Sequence, residues 1–156
     1  MASGDITIFD QFGVDKGNKI HDLDGDTWKF GLIDSTLAPT DADAAPHWGG
    51  TGTTDESTNE VTAGGNYSAG GVTLTTTTFT NAAGVVSWKA DKVTIAQHAS
   101  NPTNARWGVI YNSTDANKRC ACFVDLGSVL NLTLGPFEFR FASVDGNGTI
   151  TTDTIN

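Results

Sequence analysis

Residues 137–141 read Phe-Glu-Phe-Arg-Phe, which puts three rings on one side of an extended chain and a Glu and an Arg on the other. A period of two marks a half-buried β-strand, because successive side chains of a strand point to opposite faces. The alternation recurs at Trp28-Lys-Phe30-Gly-Leu32 and at Ala105-Arg-Trp107-Gly-Val109-Ile-Tyr111. Further β-rich runs at 72–79, 85–90, 92–96 and 119–126 are separated by turn formers such as Asn81-Ala-Ala-Gly84, the segment 112–117 and Asp145-Gly-Asn-Gly148. Gly, Asn and Asp tolerate the positive φ that tight turns need, so the last cluster is expected to return 149–152 antiparallel to 137–141. Composition agrees: fifteen Asp against three Glu, with six Lys, leaves few helix-favouring charges, while Thr occurs twenty-three times. The pattern predicts an all-β fold, a single β-sandwich of about eight antiparallel strands, jelly-roll-like or immunoglobulin-like.

Two stretches escape this period. In 5–22, Ile6 and Ile8 alternate with polar neighbours, yet Phe9-Asp-Gln-Phe12 also fits one turn of helix. The stretch reads as a short N-terminal arm over 1–20, ahead of a sandwich domain over 21–156. A small sandwich is expected to leave Ile6, Ile8, Phe9 and Phe12 unburied, so these four form a candidate interface that orders against a neighbouring molecule. On that reading, deleting residues 1–15 leaves the sandwich folded. The second stretch, 34–71, holds Pro39, Pro46 and Gly49-Gly-Thr-Gly-Thr-Thr54. So long a loop is either functional or contains small elements that periodicity does not reveal. Trp48 and Tyr67 within it are a candidate surface-binding loop, either a platform on which sugars stack or a lid over an open end of the sandwich.

The 156 residues suffice for one core. Nine basic against eighteen acidic side chains give a net charge of −9, which argues against nucleic acid and against anionic membranes as partners. No apolar run approaches the ~18 residues needed to span a bilayer, and Met-Ala-Ser-Gly-Asp-Ile-Thr-Ile-Phe lacks the pattern of a signal peptide.

Single residues point to no chemistry. Asp22-Leu-Asp24-Gly-Asp26 opens like a calcium loop, but Thr27 and Ile33 stand where an EF-hand requires Gly and Glu, so an Asp-rich turn is expected and no metal. Cys120 and Cys122, two apart in a strand, should share one face at ~6.5–7 Å, too far for an undistorted disulfide, and are read as small buried thiols. No nucleophile motif is present, and Glu56, Glu60 and Glu138 have no distinguishing carboxylate partner among so many Asp. No catalytic residue and no cofactor are expected. The Asn-x-Ser/Thr triplets at Asn66, Asn112, Asn131 and Asn147 are no more than a Thr-rich chain produces by chance.

An ordered set of short motifs resembles a family of small β-rich structural proteins of tailed bacteriophages. The set runs from His21-Asp-Leu-Asp-Gly-Asp-Thr-Trp-Lys-Phe-Gly-Leu32 through Asn59-Glu-Val61 and Tyr67-Ser-Ala-Gly-Gly-Val-Thr-Leu74. It continues with Val86-Ser-Trp88, with Ala105 to Tyr111 and with Phe123-Val-Asp-Leu-Gly127, and it covers roughly 20–152. The resemblance implies a non-enzymatic virion protein, a capsid decoration (cement) protein on the outside of the head, assembled in the host bacterial cytoplasm. It implies the major capsid protein as partner and a homo-oligomer as the assembly. A tail- or fibre-associated virion protein is one alternative, and a carbohydrate-binding β-sandwich module using Trp48 and Tyr67 is another.

Overall fold

The computed structural model describes residues 4–82, 85–141 and 152–155. In chain order the elements are β1 (Ile6–Ile8), α1 (Asp10–Gly17), β2 (Trp28–Ile33), a 3-10 turn (Glu56–Asn59), β3 (Val72–Thr73) and β4 (Thr78–Ala82). Then follow β5 (Val85–Lys89), β6 (Val93–Ile95), β7 (Ala105–Asn112), β8 (Cys120–Leu130), β9 (Phe137–Phe141) and β10 (Thr152–Ile155). All the strand pairings are antiparallel. A five-stranded sheet has the order β1-β8-β7-β2-β3, a three-stranded sheet the order β10-β9-β6, and β4 and β5 form a separate hairpin. The fold is all-β and sandwich-like, as the alternation predicts. Among the described residues no helix is long and apolar enough to cross a membrane.

The alternation of β2 explains the packing. Trp28, Phe30 and Leu32 face the three-stranded sheet, where Phe30 stacks on Phe139 with centroids 4.9 Å apart and on Phe137 at 6.0 Å. The opposite face of the same sheet is covered as well. Ile33, Val109, Tyr111, Trp107, Cys120 and Phe123 form a second core with Trp48 and Phe9. The chain therefore has two apolar layers on one sheet.

The two layers together overturn the expected arm. β1 pairs with β8 along Ile6↔Val124 to Ile8↔Cys122 and so extends the five-stranded sheet. The Phe9 ring is buried against Phe123 at 5.1 Å, and Phe12 is buried among His21, Trp28 and Trp88. Ile6 is partly buried against the core, and of the four residues assigned to an interface only Ile8 is exposed, at 38%. Phe9-Asp-Gln-Phe12 does begin a helical turn, and α1 lies against β8. Residues 6–17 are thus a structural part of the sandwich rather than an arm beside it. The second face covers Phe9, while Phe12 and Ile6 pack against the first core.

Two further expectations change. The run 72–79 is two strands in different sheets, because Thr76 turns the chain at φ 53° between β3 and β4. Cys120 and Cys122 do not share a face: β8 shifts register between the pairs Ile110↔Cys122 and Tyr111↔Cys120, and the bulge sends Cys120 into the second core and Cys122 into the first. Both thiols are free and buried, and burial holds Cys120 well above the ordinary thiol range and pushes Cys122 up to about 12. The strand after 145–148 is β10, which starts at Thr152; the turn itself lies outside the described residues.

The N-terminal segment should behave as core. Phe9→Ala and Phe12→Ala are each expected to lower unfolding free energy by about 3–5 kcal/mol in urea titrations, the usual effect of deleting a buried ring. Removal of residues 1–15 should abolish cooperative unfolding; a truncated chain that melts like the full one would show that β1 and α1 are dispensable.

Candidate functional site

Residues 44–60 fold back over β2 and β7, and the reason lies in Gly31. A Cβ at that position would overlap the Trp48 ring, so only glycine lets the indole lie on the strand. The indole also stacks on Tyr111, with centroids 5.1 Å apart and planes 3° from parallel. The Trp48 N–H donates to the Lys118 carbonyl at 2.9 Å, which ties the loop to the β7–β8 connection. Asp55 closes the loop on itself: its Oδ1 accepts from the N–H groups of Gly49 and Ser57 and from the Ser57 hydroxyl. Burial works against ionisation of Asp55, but these donors hold its carboxyl below the ordinary carboxylate value.

Tyr67 lies on the other side of this layer. Its hydroxyl accepts from the Leu32 N–H and donates to Glu60 Oε1, both at 2.9 Å, and Glu60 Oε1 also accepts from the Gly70 N–H at 2.6 Å. The Tyr111 hydroxyl donates to the Gly70 carbonyl at 2.8 Å. Burial raises both phenols well above their ordinary range, so each remains a donor. These bonds join β2, β7 and the loops around Glu60 and Gly70 into one knot.

Where the three loops meet, a cleft of about 590 Å³ opens, lined in part by Lys29, Trp48, Ser57, Glu60, Tyr111 and Lys118. Lys29 reaches it because β2 alternates: Lys29 lies across from Tyr111 on the face that Gly31 and Ile33 share. Lys118 reaches it from the β7–β8 connection, where φ is 50°. Among the described residues neither lysine forms an ion pair; the ion-paired lysine there is Lys92, with Glu138. The cleft can offer two ammonium groups, a hydroxyl and a carboxylate to a ligand.

Both candidate loop residues are therefore located. Trp48 and Tyr67 are 3% and 2% exposed, so neither ring has a face free for stacking; Trp48 packs in the second core and Tyr67 in the first, rather than both capping one end of the sandwich. Lys29 was readable as a lone charge between Trp28 and Phe30. Lys118, Glu60 and Tyr111 join it only through tertiary contacts that no local pattern announces.

The other acidic residues have structural work. Asp22 Oδ1 accepts from the N–H groups of Asp24 and Gly25, and Asp26 Oδ2 from Asp22 N–H and Asn112 Nδ2, so the Asp-rich segment is the expected turn. His21 sits between the rings of Phe12 and Trp28, and burial lowers its pKa. Glu138 is held on the surface by Lys92 and Arg140. Glu56 differs: it is buried, its Oε1 has no hydrogen-bond partner among the described residues, and burial followed by the Asp43 carboxylate pushes it up to about 8.

Comparison with known proteins finds no matching family model, no matching curated protein and no matching solved structure.

Two measurements probe this region. Tyr67→Phe removes the hydroxyl that serves both Leu32 and Glu60, and should reduce stability by about 1–3 kcal/mol, the usual effect of stranding buried polar groups. Glu56 ionises near 4.5 when unfolded and near 8 when folded, so between these values the folded chain holds the extra proton. Its contribution to stability is full below 4.5, falls as pH rises to 8 and is flat above that. Melting scans from pH 5 to 8.5 should show this decline in the parent chain and a shallower one in Glu56→Gln.

Proposed function

We propose that the protein is a non-enzymatic structural component of a tailed-bacteriophage virion, a capsid decoration protein that binds the major capsid protein on the outside of the assembled head. The observation that carries this reading is the spatial convergence of the motifs on which the resemblance rests. Leu32, Glu60, Tyr67, Gly70 and Tyr111 come from four separate motif segments, and they are the residues of the hydrogen-bonded knot between β2 and β7. Motifs that serve a shared framework resemble one another because they build one fold, and a framework is what a decoration protein needs. An acidic surface fits this role, since it keeps a particle soluble and does not adhere to nucleic acid. A homo-oligomer with closed symmetry is the natural assembly on a symmetric lattice.

Quantitative mass spectrometry of purified virions tests the proposal. The protein is expected at a fixed integer ratio to the major capsid protein. A few copies per particle would place it at the tail or a vertex instead, and absence from the particle would overturn the virion reading.

A further inference from the structure

We infer that the cleft between Lys29 and Lys118 is a binding site for a monoanionic, hydroxyl-rich ligand, the acidic sugar unit at the end of a glycan. The inference is independent of the virion reading. It begins with the distribution of charge. The chain has nine basic side chains against eighteen acidic ones. Even so, two of the six lysines line one cleft, and neither forms an ion pair among the described residues. Lys29 is half-buried on an inner strand, where an apolar residue or a paired charge is the usual occupant. The two lysines share this cleft with one carboxylate, Glu60, so the ammonium groups outnumber it, and an incoming anion can accept charge-assisted hydrogen bonds from both.

The remaining lining selects among anions. Glu60 presents a carboxylate to the same space, and among the described residues only its Oε1 is engaged, by Tyr67 and Gly70. A phosphate dianion would meet repulsion from Glu60, and a polyacidic peptide or nucleic acid would meet the net charge of the whole chain. A ligand with one carboxylate and several hydroxyls meets both obstacles more weakly, because it brings a single negative charge. Its carboxylate is placed by the two ammonium groups, and a hydroxyl donates to the second Glu60 oxygen. Another hydroxyl pairs with Ser57, whose Oγ donates to Asp55 and keeps its lone pairs for a donor. A volume of about 590 Å³ admits such a unit. The buried faces of Trp48 and Tyr111 contribute a rigid wall instead of a stacking platform.

The site explains why a structural loop should be held so firmly. Trp48 N–H on the Lys118 carbonyl and Tyr111 on the Gly70 carbonyl fix three of the walls before any ligand arrives. Preorganisation of this kind reduces the ordering that binding would otherwise require.

The test is a titration of the full chain, followed by amide chemical shifts at low salt, with methyl β-D-glucuronide, methyl β-D-glucoside and inorganic phosphate. The glucuronide should saturate and move the amides of Gly49, Gly70 and Lys118. The neutral glucoside, which lacks the carboxylate, should bind at least about ten-fold more weakly, in line with a charge-assisted contact. Phosphate should be weaker than the glucuronide. Lys29→Gln and Lys118→Gln should each reduce glucuronide affinity several-fold with an unchanged melting temperature, because neither ammonium group forms an ion pair among the described residues and the backbone bonds of both positions are kept. Absence of saturation, equal binding of the glucoside, or phosphate binding as tight as the glucuronide would overturn the inference. The ligand series on the parent chain decides the matter even if a variant fails to fold.

Discussion

The contact between Trp48 and Gly31 is the constraint on which the rest of this fold depends. In many antiparallel sandwiches each sheet buries one face and leaves the other to solvent. Here β2 has Trp28, Phe30 and Leu32 on one face and Gly31 and Ile33 on the other, and all five are buried. Covering the second face buries Pro46, His47, Trp48 and Glu56, and their backbone then needs new partners. It finds them in the pairs His47 N–H to Thr54 carbonyl, Glu56 N–H to His47 carbonyl and Trp48 N–H to Lys118 carbonyl. The same closure shelters Phe9, so the start of the chain and the long central loop complete one layer together.

Buried polar groups in this layer fall into two kinds, and the difference has consequences. Around Tyr67 the hydroxyl gives and receives, and the N–H groups of Leu32 and Gly70 are both engaged. A network in which donors and acceptors match fixes relative positions, because any shift breaks several bonds at once. Around Glu56 the match is incomplete, and the carboxyl answers by retaining a proton. The first arrangement makes the walls of the cleft rigid; the second makes the loop behind it sensitive to pH.

The fold class was legible because strands announce themselves by alternation, and the strands around Phe30, Trp107 and Phe139 do so plainly. What was not legible came from features with no period. The arm was expected to be free because its rings were weighed against a small core; Phe12 nevertheless enters that core, and Phe9 enters a second one that includes Trp48. Strict alternation put Cys120 and Cys122 on one face, and a bulge, which leaves no mark in the order of residues here, separated them. For the cleft, Trp48 was singled out for its size and its Gly-rich setting, and it does line the cleft. Lys118, in a polar turn, looked like any solvated charge, because its significance lies in which loop its carbonyl holds.

The acidity of the chain is best understood through the same hydrogen bonds. Asp22, Asp26, Asp34, Asp43, Asp55, Asp115 and Asp125 each accept at least one backbone N–H, in turns or at strand ends. Seven of the fifteen Asp therefore serve local conformation, as short carboxylates do when they close Asx turns. A large part of the net charge then follows from building many turns rather than from selection by a partner, and a low isoelectric point alone says little about what the surface meets. The scarce cations are more informative. Arg106 is engaged with Asp125, Arg119 with Asp15 and Asp115, and Lys92 and Arg140 with Glu138. Once those pairs are set aside, Lys29 and Lys118 share one cleft with Glu60, while Lys16 and Lys19 line another with Asp22, where Lys16 lies over the Phe12 ring. In a protein where negative charge is the by-product of turns, a cleft where positive charge has been left unpaired beside hydroxyl and carboxylate groups is a place where recognition is to be sought.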